Sequence, residues 1–223
     1  MKLRCICDIP RDCNINIALD EVFFTKENFD ETFRFYRWTR PSYTIGYFQK
    51  FPTDKKDSFP VIRRLTGGLS VLHNKDLSYS LIVSDGLWPY IYNQEATYKI
   101  IHETIRKSLE KINIFCDKTV LNSDNVQNYS CVQTLYKDDL LLNGKKIVGS
   151  CQRRRGKRII VEGSIHLDLK EDQIKIFTEE FFNNLSKTLK CDTINKCLTN
   201  EEISSAQKLC KEKYDTDKWS KLF

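Results

Sequence analysis

Two glycine-containing stretches, residues 63–80 (RRLTGGLSVLHNKDLSYS) and 143–169 (NGKKIVGSCQRRRGKRIIVEGSIHLDL), restrict the folds open to this chain. Each combines strand-forming residues with a glycine turn, and each carries polar side chains that an ordinary sheet does not need. In the first stretch, Gly67 and Gly68 are two of only eight glycines in the chain. A Gly-Gly pair lets a ligand approach the backbone closely, because neither residue has a Cβ atom. His73 follows on the next predicted strand.

The second stretch places a lysine among apolar residues on a predicted strand. Lys146 lies three residues before the pair Gly149 and Ser150, and the strand at 158–169 then contains Glu-Gly-Ser at 162–164. We interpret the two stretches together as the walls of one pocket for a small acylated ligand. Two hairpins with glycine turns are the simpler alternative for either stretch alone.

Hydrophobic periodicity predicts an α+β fold. Apolar residues at helical spacing indicate two long helices, at 95–112 and 174–185. Thr199 and Glu202 have the spacing of a capping box that begins a shorter helix. The helices stand in blocks among sequential strands, so we expect a mostly antiparallel sheet with helices packed on it. A further helix is predicted at 14–24, and strands at 3–7, 32–38, 43–48, 59–64, 70–83, 140–142, 147–150 and 158–169, with a bend near Asn74 and Lys75.

Composition and charge exclude several classes of protein. The 223 residues are 40% hydrophobic and 30% charged, which is ordinary for a globular domain. No apolar run approaches the ~18 residues of a membrane span, and the N-terminus lacks a signal peptide. The nine cysteines form no CxxC pair, so we expect reduced thiols, a cytoplasmic location and no metal site. The net charge of +6 suits an acidic partner, but no nucleic-acid-binding pattern accompanies it.

Four motifs resemble, in the expected order, those of the lipoate–protein ligase and octanoyltransferase superfamily. RR-x-TGG-x-x-V-x-H from Arg63 resembles its glycine-rich motif, and GKKIVGS followed by EGSI resembles its lysine motif and the next strand. NIALDE at 16–21 resembles the first-helix motif, and PSYTIGYFQ at 41–49 resembles the strand before the pocket. The resemblance implies the class II biotin and lipoyl synthetase-like fold. It also implies a single catalytic domain over residues 1–223, without the accessory domain that some members carry.

The resemblance assigns roles to individual residues. Lys146 falls at the position of the essential lysine of the family, where it would stabilise charge that develops on a carbonyl oxygen. Neighbouring Lys145 would point to the other face of the strand. The motifs imply substrate binding by Arg63, Arg64, Gly67, Gly68, His73, Ser80, Gly149, Ser150, Gly163 and Ser164.

Cys131 distinguishes the reaction classes within this superfamily. One group of octanoyl and lipoyl transferases uses a cysteine thirteen residues before the glycine of the lysine hairpin, and Cys131 stands thirteen residues before Gly144. A second group carries its cysteine on the strand after the lysine, where this chain has Ile159. Cys151 is a rival thiol, but strict strand alternation would turn it away from the pocket that Ser150 faces.

We therefore predict an acyltransferase of protein lipoylation. Cys131 would take an octanoyl or lipoyl group from an acyl carrier protein or a lipoylated H protein, and a lysine of a lipoyl domain or H protein would receive it. This route needs no cofactor. Leu69 after Gly68 agrees with the transferase pattern, whereas Asp138-Asp139 resembles a ligase motif. An ATP- and Mg-dependent lipoate–protein ligase and a catalytically silent binding protein remain as alternatives, and a biotin ligase is disfavoured.

A run of basic residues, RRRGKR at 153–158, marks the turn between two predicted strands. A hairpin tip in solvent explains it most simply. The functional alternative is a docking surface for an acidic carrier protein or lipoyl domain.

Overall fold

The computed structural model describes residues 2–27, 30–52, 59–119 and 135–223. Within these ranges the helices are α1 (Cys13–Thr25), α2 (Gln94–Glu110), α3 (Glu171–Leu189), α4 (Asn200–Leu209) and α5 (Asp217–Ser220), with a π-helical turn at Cys210–Tyr214. The strands are β1 (Lys2–Cys7), β2 (Thr32–Tyr36), β3 (Ser42–Ile45), β4 (Val61–Arg63), β5 (Val71–His73), β6 (Leu77–Ser84), β7 (Asp117–Lys118), β8 (Leu140–Leu142), β9 (Lys145–Arg155), β10 (Arg158–Ile165) and β11 (Asp192–Asn195). None of the described helices is both long and apolar enough to cross a membrane.

The strands form two sheets. The larger one has the order β11-β1-β2-β6-β10-β9-β8-β7, and the smaller one has the order β4-β3-β5. In the larger sheet, β1 runs parallel to both of its neighbours, and every other pair of adjacent strands is antiparallel. The predicted α+β class and the mostly antiparallel sheet are thus confirmed.

The strand predicted at 70–83 is divided between the two sheets. β5 pairs with β3 in the smaller sheet, and β6 pairs with β2 and β10 in the larger one. The expected bend is a complete break, which is stabilised by a hydrogen bond of 2.8 Å from the Asn74 amide to Asp76 Oδ1. Because of this break, His73 and Ser78 lie on different sheets and face the same space between them.

One face of the larger sheet is apolar and carries α2 and α3. Phe33 of β2 packs on Phe181 of α3 with ring centroids 4.6 Å apart, and Ile105 of α2 is fully buried in the same cluster. The apolar residues that predicted both helices lie in or against this cluster. The prediction that both stripes pack on one sheet is therefore confirmed, as is the capping box of Thr199 and Glu202 at the start of α4.

The opposite face carries α1 and is polar at its centre. Arg34 of β2 is fully buried, and its guanidinium donates to Asp20 Oδ1 of α1 at 3.1 Å and to Asp8 Oδ2 at 2.8 Å. Ser80 of β6 donates to Asp20 Oδ1 at 2.7 Å. Burial raises the pKa of Asp20, and the charge of Arg34 opposes that rise. Helix α1 is thus attached to β2 and β6 through polar contacts.

Arg34→Ala is expected to lower the free energy of unfolding by about 3–5 kcal/mol, because it leaves a fully buried carboxylate without its cation. Arg40→Ala is the matched control, since it breaks the exposed pair with Asp12 and should cost at most about 1 kcal/mol. Urea unfolding of both variants measures the difference. Equal losses would show that the buried pair has no special weight.

Candidate active site

A cavity lies between the polar face of the larger sheet, helix α1 and the smaller sheet. Its apolar lining residues are Ile17, Tyr36, Trp38 and Val71. Its polar lining residues are Thr44, Arg64, His73, Ser78, Lys146, Ser150, Cys151, Glu162, Ser164 and His166, and the backbones of Gly149 and Gly163 complete the wall. Residues of both glycine-containing stretches therefore line one space.

An irregularity in the pairing of β8 with β9 decides which side chains of β9 face this cavity. Leu140 pairs with Val148, but Leu141 pairs with Lys146, so Ile147 is an extra residue on β9. A β-bulge of this kind shifts the alternation of side chains by one position. Lys146 therefore shares the cavity with Cys151, although strict alternation would separate them.

Lys146 is buried and paired. Its Nζ atom lies 2.6 Å from Asp139 Oδ2, and 3% of its side chain is exposed. Burial raises the pKa of Asp139, and the Lys146 ammonium opposes that rise. Lys145, the residue before it, is exposed and does not line the cavity. The arrangement provides a fixed cation at one end of the cavity.

His73 is held by three neighbours. Nδ1 lies 2.8 Å from Asp76 Oδ2, Nε2 lies 2.9 Å from Thr44 Oγ1, and the ring stacks on Trp38 at 4.1 Å. Burial acts to raise the pKa of Asp76, but the charge and the hydrogen bond of His73 lower it to about 2. Asp76 is therefore ionised at neutral pH and fixes the orientation of the imidazole.

Arg64 supports the Gly-Gly turn from inside the cavity. Its guanidinium donates to the carbonyl oxygens of Gly67 at 2.7 Å and Leu69 at 2.9 Å. Gly68 has φ +85°, a left-handed conformation that favours glycine. The carbonyl oxygen of Gly68 would lie 2.0 Å from a Cβ atom on Gly46, so Gly46 also has to lack a side chain. The turn therefore requires glycine at position 68 for its backbone conformation and at position 46 for close backbone packing.

A second polar cluster lies where β9 and β10 pair beside this turn. Thr66 donates a short hydrogen bond to Glu162 Oε2, and its Oγ1 lies 3.0 Å from Cys151 Sγ. Glu162 Oε1 is buried and has no hydrogen-bond partner among the described residues. Burial and the nearby charge of Asp20 raise the pKa of Glu162 to about 7. This end of the cavity thus holds a carboxyl group that binds a proton near neutral pH.

The structure brings together most of the residues predicted to bind substrate. Arg64, His73, Gly149, Ser150, Gly163 and Ser164 all line the cavity with Lys146. A Cβ atom on Gly163 would stand 2.3 Å from the Tyr79 hydroxyl, which explains the glycine there. The Ser150 hydroxyl points away, since it is hydrogen-bonded to Tyr79 at 2.6 Å and to His102 Nε2 at 2.7 Å.

Other predicted residues lie elsewhere. Arg63 is fully buried outside the cavity, and it donates to backbone carbonyls that include Gln49 at 2.6 Å and Ser220 at 2.9 Å. Ser80 is bonded to Asp20, and neither Gly67 nor Gly68 lines the cavity. The expectation that Cys151 faces away from the cavity is wrong, because the bulge at Ile147 was not foreseen. Cys131 lies outside the described residues.

Several residues that line the cavity were given no role from the sequence, among them Glu162, His166 and Trp38. Glu162 was part of a motif but was assigned no role, and His166 lay on the strand predicted at 158–169 without a role. Trp38 was predicted to lie on a strand at 32–38, but β2 ends at Tyr36. The indole of Trp38 donates to Ser78 at 2.9 Å inside the cavity. The signal for His166 was its spacing of two from Ser164, which puts both side chains on one face.

Comparisons with known proteins identify relatives of this chain. The family model described as the lipoyl protein ligase A/B catalytic domain matches residues 12–223. The octanoyltransferase LipM of Oceanobacillus iheyensis is 31% identical over 74% of this chain, and the aligned part spans 64% of that relative. The octanoyltransferase LipM of Bacillus cereus is 26% identical over 92% of each chain.

Solved structures of ligases have the same fold. A lipoate-protein ligase A bound with ATP has a TM-score of 0.76 at 22% identity, covering 99% of this chain and 98% of that chain. A bipartite lipoate protein ligase of Thermoplasma acidophilum, solved in a study of that ligase and its E2 lipoyl domain, has a TM-score of 0.71 at 22% identity, covering 99% of this chain and 96% of that chain.

Glu162→Gln is expected to make stability less dependent on pH. The pKa of Glu162 is raised from 4.5 to about 7, so the folded protein keeps a proton that the unfolded chain releases in this window. The free energy of unfolding of the wild type should therefore fall as pH rises from about 4.5 to 7. The glutamine of the variant cannot release a proton, so by pH 8 the free energy of unfolding of the variant should have fallen by up to ~3 kcal/mol less than that of the wild type.

Urea unfolding at pH 5 and pH 8 provides the measurement. Glu201→Gln, at an exposed position of α4, is the matched control and should keep the wild-type pH dependence. If Glu162→Gln loses as much stability with rising pH as the wild type, Glu162 is not the titrating group.

Proposed function

Because the chain belongs to the lipoyl protein ligase A/B catalytic-domain family, we propose that it is an acyltransferase of protein lipoylation. It moves an octanoyl or lipoyl group from a carrier protein to a lysine of a lipoyl domain or an H protein. The observation that carries this proposal is the buried Lys146–Asp139 pair, which stands at one end of a cavity lined by the family motifs. Relatives named octanoyltransferase support the class of reaction.

The first half-reaction is a thioester exchange. The Cys131 thiolate attacks the thioester carbon of the donor, a new C–S bond forms, and the donor thiolate leaves. Cys131 is assigned this role because of its position thirteen residues before Gly144. In the second half-reaction, the amine of the acceptor lysine attacks the acyl-enzyme, an amide forms, and the Cys131 thiolate leaves.

Lys146 stabilises the charge that develops on the carbonyl oxygen in both half-reactions. A buried ammonium group held by a carboxylate is already oriented, so it needs little rearrangement when the oxyanion forms. Asp139 supplies this orientation at 2.6 Å. The acyl chain extends from Lys146 along β9 and β10, past Trp38 and Val71, toward Cys151.

A lipoate–protein ligase is the alternative function. The Asp139 that pairs with Lys146 belongs to the Asp138-Asp139 motif, which resembles that of ligases, and a ligase bound with ATP has the same fold. In that case Arg64 and Lys146 would contact an acyl-adenylate made from lipoate and ATP in the presence of Mg. Only the transferase route forms a covalent acyl-enzyme without ATP.

The partner proteins bind, in this proposal, at the basic β9–β10 hairpin. Arg154, Arg155 and Lys157 are exposed there. Arg153 and Arg158 serve the fold instead, since Arg153 lies over the Tyr47 ring at 4.7 Å and Arg158 donates to carbonyl oxygens at the end of α1. Three exposed cations on one hairpin suit the acidic surface of a carrier protein or lipoyl domain.

Cys131→Ser and Lys146→Ala are each expected to abolish acyl transfer. The wild type, mixed with octanoyl-carrier protein without ATP, should gain one octanoyl group, and hydroxylamine should remove it as it removes a thioester. A serine hydroxyl stays protonated near pH 7, so Cys131→Ser should not turn over. Lys146→Ala removes the cation that stabilises the oxyanion. Intact-protein mass spectrometry follows the label, and circular dichroism verifies folding.

Matched controls make this test specific. Lys145→Ala and Cys197→Ser change exposed residues of the same types and should keep wild-type labelling. Cys151→Ser tests the rival thiol. Full activity of Cys131→Ser, together with a requirement for lipoate and Mg-ATP, would establish the ligase alternative.

Changing Arg154, Arg155 and Lys157 together to Gln is expected to raise the KM for the carrier protein several-fold at low salt. The effect should shrink as ionic strength rises, because exposed charges are screened over about 8–10 Å at physiological salt. Lys99→Gln with Lys107→Gln, exposed on α2 on the other face of the sheet, should leave KM unchanged. An unchanged KM for the hairpin variant at low salt would show that these residues form a solvated hairpin tip and do not bind the carrier protein.

A further inference from the structure

His166 lines the cavity beside Lys146 but has no part in the reaction described above. It follows β10 directly, and its backbone N–H donates at 2.7 Å to the carbonyl of Ile147, the residue next to Lys146. Its Nε2 atom lies 3.1 Å from Ser164 Oγ, and both side chains line the cavity. The imidazole therefore stands at the end of the cavity where the proposed chemistry takes place.

Three other titratable groups that line the described cavity, His73, Lys146 and Glu162, are poorly placed to accept a proton there. His73 is hydrogen-bonded through both nitrogens, to Asp76 and to Thr44. Lys146 is paired with Asp139. Glu162 lies four residues before His166, which puts it about 13 Å away along an extended strand.

The second half-reaction needs a proton acceptor at this end. When a lysine amine attacks a thioester, its nitrogen becomes positively charged in the tetrahedral intermediate. This nitrogen must lose a proton so that the thiolate, and not the amine, leaves. We propose that His166, acting through the hydroxyl of Ser164, is the general base that accepts this proton. This inference rests on the proposed transferase function and assigns a residue to one of its two steps.

The proton transfer balances as a relay. The amine nitrogen bonds to the thioester carbon, and its extra proton passes to Ser164 Oγ. The Ser164 hydroxyl gives its own proton to Nε2 of neutral His166. The C–S bond then breaks, Cys131 leaves as the thiolate, and the imidazolium releases its proton to solvent. The first half-reaction exchanges one thioester for another and needs no such base.

The surroundings of His166 keep it neutral at pH 7. Burial lowers its pKa, the charge of Asp76 opposes this, and the nearby His73 and Lys146 lower it further. The ion pair between Lys75 and Asp168 lies at the surface nearby, with both side chains 66% exposed. A neutral imidazole is the form that a general base requires.

The test separates the two half-reactions of the full-length protein. His166→Gln should form the octanoyl-enzyme from octanoyl-carrier protein at the wild-type rate. Transfer from the isolated octanoyl-enzyme to a lipoyl domain should then slow by about 10²–10⁴-fold. Release of the octanoyl group by hydroxylamine, which needs no enzymatic base, should match the wild type.

Two further readouts exclude a purely structural role. The pH profile of the wild-type transfer step should have an inflection below the ordinary histidine pKa of about 6.5, and His166→Gln should lack it. In His166→Ala, added imidazole should restore transfer to the lipoyl domain. The proposal would be overturned if His166→Gln transferred the octanoyl group to the lipoyl domain at the wild-type rate. It would also be overturned if this variant slowed release by hydroxylamine as much as it slowed transfer to the lipoyl domain. Failure of the wild-type protein to form any octanoyl-enzyme would instead refute the transferase function itself.

Discussion

The buried ion pair between Arg34 and Asp20 is the interaction on which the site depends. It links β2 to α1 with no exposure of either side chain, and Asp20 then accepts a hydrogen bond from Ser80 of β6. A buried pair of this kind does not add much net stability, because both charges lose their hydration. Its effect is geometric, because these polar contacts hold the helix over the sheet. The polar face of β6 and β10 then forms one wall of the cavity.

The β-bulge at Ile147 adds the second constraint. It brings Lys146 to the cavity side of β9 while Val148 still packs in the apolar cluster on the other side. Without the extra residue, the lysine would follow Ser150 toward Tyr79 and His102. Burial lowers the pKa of His102 to about 4, so the histidine on that side of the sheet is neutral. One inserted residue thus places Lys146 in the cavity, on the opposite side of β9 from the hydrogen bonds among Ser150, Tyr79 and His102.

The parts of the fold that local periodicity controls could be predicted from sequence. The buried stripes of α2 and α3, the capping box of α4 and the hairpin of β8 and β9 each depend on residues close together in the chain. Arg63 was predicted as a ligand of substrate because it stands in a motif, but its side chain donates to backbone carbonyls that include that of Ser220, a contact that no local pattern reveals. Ser80 has its partner sixty residues away in α1. The bulge depends on how β8 registers with β9, and the sequence of β9 alone does not contain that information.

The two ends of the cavity differ in charge, and in the proposed reaction this difference would orient an acyl substrate. At one end Lys146 is a cation held by Asp139, which favours the carbonyl oxygen of a thioester. At the other end Glu162 has a pKa of about 7 and so is neutral for much of the time, which lowers the cost of placing a hydrocarbon chain against it. A substrate bound in reverse would leave Lys146 facing hydrocarbon and would bring no oxyanion near it. In the proposed reaction these buried polar groups would therefore select one direction of binding, in which the acceptor enters at the end of the cavity that Lys146, Ser164 and His166 line.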